Sequence, residues 1–122
     1  MDRQARWEAS AKTNERLKAK YKIDPPVGCD CPHGWEKLVD ALLTDLFKLE
    51  GFKPEMVAQI KSKFCGLRFY IENIPEEIKD NVNKLIATAE DESYTLCEQC
   101  GAAAKNTTPA MSGVRLCEEC TK

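Results

Sequence analysis

The sequence predicts an α+β fold: a small helical domain with a short β-hairpin and a cysteine-rich C-terminal ribbon. Three observations predict it. Trp35, Leu38, Val39, Leu42, Leu43, Leu46 and Phe47 recur at i, i+3, i+4, i+7, i+8, i+11 and i+12, which makes one wide apolar helical face. Leu67, Phe69 and Ile71 alternate with Arg68 and Tyr70, the period of a half-buried strand. Cys97-Glu98-Gln99-Cys100 and Cys117-Glu118-Glu119-Cys120 stand sixteen residues apart, giving C-x2-C-x16-C-x2-C.

Three segments follow from the order of these signals. Residues 1–22 form a basic N-terminal helix, since residues 2–21 lack proline and glycine and are rich in Ala, Arg, Lys and Glu. Its apolar stripe is thin: Ala5, Trp7, Ala9, Leu17 and Tyr21 make no continuous face, so the helix is expected to pack weakly, project, or dock on a partner. Residues 23–93 form a helix–hairpin–helix core. Asp24-Pro25-Pro26-Val27-Gly28 breaks the first helix, because two prolines remove donors and hold the chain extended. The main apolar helix follows, and Gly51 stops it.

Residues 56–71 admit two readings. Met56, Val57, Ile60 and Phe64 fit one helical face behind Pro54; alternatively, 56–64 and 67–71 are strands around Cys65-Gly66, and we expect that hairpin. Asn73-Ile74-Pro75-Glu76-Glu77 opens the last core helix, with proline and carboxylates in its first turn. Ile78, Val82, Leu85, Ile86 and Ala89 form its buried face as far as about Ser93.

Residues 94–122 are the ribbon. Its apolar residues are few (Leu96, Met111, Val114 and Leu116), so a metal is needed to order it. The paired spacing brings four thiolates onto one Zn2+ at about 2.3 Å each, with Cys97, Cys100, Cys117 and Cys120 as ligands. Four protein ligands leave no open position for water or substrate, so the metal is expected to be structural.

Composition narrows the function classes. The chain has 122 residues, 31% of them charged, with a net charge of −2. That balance excludes general disorder and a strongly basic nucleic-acid binder. With no apolar run near membrane-spanning length and no signal-peptide core, no membrane partner is expected. An odd count of seven cysteines, four of them assigned to a metal, fits a reducing cytoplasm. The charge is uneven: residues 1–22 carry +4 and residues 23–122 carry −6.

The run from Gly34 to Cys120 resembles a family of small bacterial and phage proteins to which no reaction is attached. The matching residues are Gly34-Trp35, Gln59-Ile60-Lys61, Lys63-Phe64, Gly66-Leu67-Arg68-Phe69-Tyr70, Ala89-Glu90, Ser93, Cys97-Glu98-x-Cys100-Gly101 and Leu116-Cys117. The chain departs from that pattern at Cys65, where the family has glycine, and at Cys120, where many members have histidine. Histidine and cysteine exchange as zinc ligands, so the second departure agrees with the metal site. The resemblance implies a phage or mobile-element regulator, or an inhibitor of a host protein complex.

Other residues carry weaker signals. Cys29, Cys31 and His33 form a C-x-C-x-H trio that would begin a second metal site, with Asp24, Asp30 or Cys65 as the fourth ligand. The alternative is a reduced loop in which His33 caps the following helix. Cys65 with His33 would make a nucleophile and base, but no orienting acid or oxyanion donors accompany them. Trp7 in its basic helix is an aromatic anchor for a partner interface, alongside Arg3, Arg6 and Arg16. Arg68 and Tyr70, on the outer side of their strand, would bind an acidic partner or stack a base; packing within the fold is the alternative.

The expected function is a non-catalytic, zinc-stabilised protein-interaction module whose partner is another protein with an acidic surface; a homodimer through the first helix is one form of this. The alternative is a nucleic-acid-binding zinc ribbon. Residues 94–122 balance three acids against three bases before the thiolates are counted, which makes the ribbon itself a poor phosphate binder. No enzyme is expected, because the sequence holds no paired acid and base, open metal position or phosphate loop.

Overall fold

The computed structural model describes residues 3–102 and 116–121. The fold is α+β. In chain order the elements are α1 (Arg3–Tyr21), β1 (Cys29–Asp30), α2 (Glu36–Phe47), β2 (Val57–Lys63), β3 (Gly66–Ile71), α3 (Glu76–Ser93) and α4 (Glu118–Thr121). A 3-10 turn, His33–Trp35, leads into α2. The sheet order is β1-β2-β3, with β1 parallel to β2 and β2 antiparallel to β3. The sequence reading contains no counterpart of β1: two residues are too short to show a period.

The apolar faces expected of α2 and α3 meet over the sheet. Trp35, Leu43, Leu46, Ile60, Leu67 and Val82 are all buried in one core. Each such side chain contributes about 1.5–3 kcal/mol by leaving water. Phe47 extends the core sideways, stacking on Tyr21 and meeting Phe52 edge-on.

Residues 57–71 form the hairpin, not the alternative helix. Ile60 faces Phe69 and Lys61 faces Arg68 across the ladder, which closes at Lys63 and Gly66. Phe64 and Cys65 alone make the loop, at φ 53° and 64°. Two positive φ angles match the twist of a two-residue hairpin turn, a place usually filled by Asn-Gly. Gly66 has no substitute, because a Cβ there would come within 2.6 Å of the Tyr94 ring. The outer edge of β3 is closed by α3: Leu67 N–H donates to Ser93 Oγ at 2.8 Å and Phe69 N–H to Glu90 Oε2 at 3.1 Å. Covering those donors removes a template for edge-to-edge pairing.

The expectation of a weakly packed or projecting α1 is corrected. Thr13, Asn14 and Leu17 are buried, and Leu17 belongs to the main core. The docking face is Ser10, Thr13, Asn14, Leu17 and Tyr21, which has helical spacing but is mostly polar. Asn14 is its centre. Its Oδ1 accepts Cys31 N–H at 2.7 Å and the Cys29 thiol at 2.9 Å, while its Nδ2 donates to Ser10 O and Cys31 O. The side-chain amide thus pairs with the backbone just past β1 as a neighbouring strand would. Ser10 Oγ accepts His33 N–H, Thr13 donates to Glu36, and Tyr21 donates to Asp40 O. Part of the helix's positive charge is answered internally, since Arg16 pairs with Glu36 and Lys20 with Asp40.

Candidate metal centre

Four sulfurs converge where α3 ends and α4 begins. α3 delivers the chain through a turn at Tyr94–Thr95 into Leu96 and Cys97. The first cysteine pair lies on a tight knuckle. Cys97 O accepts Gly101 N–H at 3.0 Å, and Cys97 N–H donates to Ala102 O at 2.8 Å. Gly101 stands at φ 80°, which glycine adopts without steric cost. The second pair spans the start of α4, with Cys120 N–H donating to Cys117 O at 3.1 Å. Met111 and Val114, with the rest of the loop joining the pairs, lie outside the described residues.

The ligand atoms of Cys97, Cys100, Cys117 and Cys120 all lie within 4.8 Å of one another, with 3.6 Å between the Cys100 and Cys117 sulfurs. A tetrahedral metal bound to four sulfurs at about 2.3 Å places them about 3.8 Å apart, so the donor set fits one metal ion. Cys97 and Cys117 are buried, Cys120 is half-buried and Cys100 is exposed. Burial would raise the Cys97 thiol, but backbone N–H groups of Cys117, Cys100 and Gln99 outweigh it, and its pKa falls to about 7. One of those donors is Gln99 N–H, 3.3 Å from Cys97 Sγ. The Ala102 backbone pulls Cys100 down, but burial and the Cys117 and Cys97 sulfurs raise it overall. Burial and the three neighbouring sulfurs raise Cys120. Without a metal, then, the cage resists carrying four negative charges at once; a cation removes that repulsion.

The knuckle is docked on the helical domain. Gly34 N–H donates to Glu98 O at 2.8 Å, and Trp35 Nε1–H donates to Leu96 O at 3.1 Å. A Cβ on Gly34 would come within 2.6 Å of the Glu98 carbonyl carbon, and one on Gly101 within 2.8 Å of Gly34 O. Two glycines and one tryptophan therefore set the seat of the metal centre. Sequence reasoning placed Trp35 only in the core and missed this contact.

Cys29, Cys31 and His33 do not converge. Among the described residues the C-terminal cysteines are the one group of three or more ligand-type side chains gathered closely enough to hold a metal. Cys29 is turned to Asn14, Cys31 to Pro32 O, and His33 Nδ1 lies 3.3 Å from Ser10 Oγ. Burial, chiefly, pushes the Cys29 thiol up to about 11 and raises the Cys31 thiol well above its ordinary value. Such thiols favour the protonated state over metal-ligating thiolate. Burial and the Arg6 charge lower His33, outweighing the nearby Gln99 backbone and Glu36. Cys65 is buried in the hairpin turn.

The residues assigned to partner contact are dispersed. Trp7 is 68% exposed on α1 and lines a cavity of about 630 Å³ between α1, β1 and the knuckle, with Arg6 and Leu116. The Arg3 side chain lies outside the described residues. Arg16 is taken by Glu36. Arg68 and Tyr70 share the outward side of β3, Tyr70 exposed and Arg68 half-buried. No helix among the described residues is long and apolar enough to cross a membrane. No family model, curated protein or solved structure matches the chain.

Proposed function

We propose that the chain is a non-catalytic protein-interaction module, stapled by one Zn2+ on Cys97, Cys100, Cys117 and Cys120, that regulates another protein in the cytoplasm by occupying its surface. A regulator or inhibitor carried by a phage or mobile element fits this reading. The observation that carries it is Trp7, which stands 68% exposed at the edge of the cavity between α1 and the knuckle. A large aromatic left in water beside a concave site is the usual anchor of a protein contact. Because Arg16 and Lys20 are engaged within the fold, Arg6 remains as the cation beside that anchor. Four-sulfur coordination selects zinc over harder cations and closes the metal to substrate.

The test is affinity purification of the full chain from its native host after nuclease treatment, comparing wild type with Trp7→Ala, with elemental analysis of the same samples. One zinc per chain, and a protein partner held by wild type and lost by the variant, is the expected result. A chain that holds no protein partner after nuclease, or one that binds it equally well without Trp7, overturns the reading.

A further inference from the structure

The outward side of the β2–β3 hairpin carries three costs that the fold does not repay. Phe64 occupies the turn at φ 53°, a conformation that is an outlier for a bulky side chain, and it is 76% exposed. The two-residue turn requires the positive φ, but it does not require a phenyl ring there, and the ring is hardly buried. Lys61 stands directly opposite Arg68 in the ladder, and like charges facing each other across strands are destabilising. Tyr70, 43% exposed, shares the same side.

Strand alternation explains the grouping. Ile60, Leu67 and Phe69 point into the core, so Lys61, Arg68 and Tyr70 point away from it, and Lys63 and Phe64 extend the same strip to the tip. None of Lys61, Lys63 and Arg68 is in an ion pair among the described residues, in contrast to Arg16, Lys20 and Lys48. Two of these cations lie over the aromatic rings: Lys61 Nζ is 6.0 Å from the Tyr70 centroid and Lys63 Nζ is 5.4 Å from that of Phe64. The acidic residues bordering the strip are Asp30, in register with Lys61 on β1, and Glu72, just past β3. Neither lies at the tip.

We propose that this strip, Lys61, Lys63, Phe64, Arg68 and Tyr70, binds single-stranded nucleic acid. Phe64 and Tyr70 stack bases while the three cations meet the phosphates between them. Tyr70 sits opposite Gln59, and the four residue steps from Gln59 to Lys63 span about 13 Å, so the two aromatic ends are separated along the strand. An acidic peptide would satisfy the cations but leave both rings in water; a single strand uses both, since every base has a stacking face. Duplex DNA would meet the cations but keep its bases stacked on one another. Asp30 borders both the strip and the Trp7 cavity, but none of the five residues lines that cavity, so this proposal goes beyond the protein-binding reading.

The experiment uses the full, zinc-loaded chain with fluorescent oligothymidylate and oligouridylate, read by anisotropy at several salt concentrations, with duplex DNA and polyglutamate as competitors. The single strands are expected to bind with a log–log salt slope of about −2, from three phosphate contacts at about 0.7 each. Phe64→Ala and Tyr70→Ala are each expected to weaken binding about tenfold at every salt concentration. Lys63→Gln is expected to flatten the slope by about 0.7. Trp7→Ala should bind the oligonucleotides as wild type does, which separates this result from failure of the protein-binding reading. Circular dichroism identifies a variant that misfolds, and the remaining substitutions then decide. No binding of single strands, better competition by duplex or polyglutamate, or affinity unchanged in both aromatic variants would overturn the proposal.

Discussion

α1 and α3 are nearly equal in length, 19 and 18 residues, yet they are held by opposite chemistry. α3 buries Ile78, Val82, Ile86 and Ala89, an apolar face that needs no partner of particular geometry, and accepts directed hydrogen bonds from β3 only at Glu90 and Ser93, at its end. α1 buries Thr13, Asn14 and Leu17, and its contacts to β1 and α2 are mostly directed hydrogen bonds. An apolar face gains from any close packing, whereas a polar face gains only when every buried group finds its partner. The difference teaches that helical spacing alone marks a docking face; the residues on it need not be apolar.

Substitutions in the two helices sharpen this comparison. The largest effect is expected from Ile86→Ala in α3, a loss of about 2–5 kcal/mol measured by urea unfolding, because a cavity opens in the core. Asn14→Ala in α1 comes next, at about 1–3 kcal/mol, since Cys31 N–H loses its acceptor inside the structure. If Asn14→Ala proves neutral, β1 rearranges freely and the polar face does not hold α1.

The smallest effect is expected from Glu36→Gln, and it should depend on pH. Arg16 holds the Glu36 carboxyl below its ordinary value, burial opposes this, and Thr13 adds to it. A carboxyl depressed in the folded state stabilises fully above its unfolded pKa of about 4.3, and that contribution fades as pH falls through the lower folded value. Wild type and variant should therefore differ at neutral pH and converge on acidification, with the neutral-pH gap reduced by salt. A gap that persists in acid would place the effect in packing rather than charge.

The four-cysteine cluster was legible because its information is local. A C-x2-C pair brings two sulfurs together through a few bonds, and a second pair needs only a loop to return it. Cys29, Cys31 and His33 look similar on paper, yet each is engaged elsewhere: Asn14 takes the Cys29 thiol, Pro32 O the Cys31 thiol, and His33 Nδ1 lies against Ser10 Oγ. Nothing in their spacing announces Asn14, fifteen residues away. The same limit hid the seat of the knuckle: Gly34 and Leu96 are distant in sequence, and the need for glycine arises only once Glu98 lies against it.

The sequence by itself determined the α2 and α3 faces, the alternation of β3 and the two cysteine pairs that cluster, because periodicity and short spacings act over a few residues. It favoured the hairpin without excluding a helix across residues 56–64, since a short apolar pattern suits either until it pairs. Tertiary structure decided that pairing, the parallel β1 and the docking of α1. The last two depend on hydrogen bonds between residues far apart in the chain, and a polar side chain shows which partner it needs only when the fold brings that partner within about 3 Å.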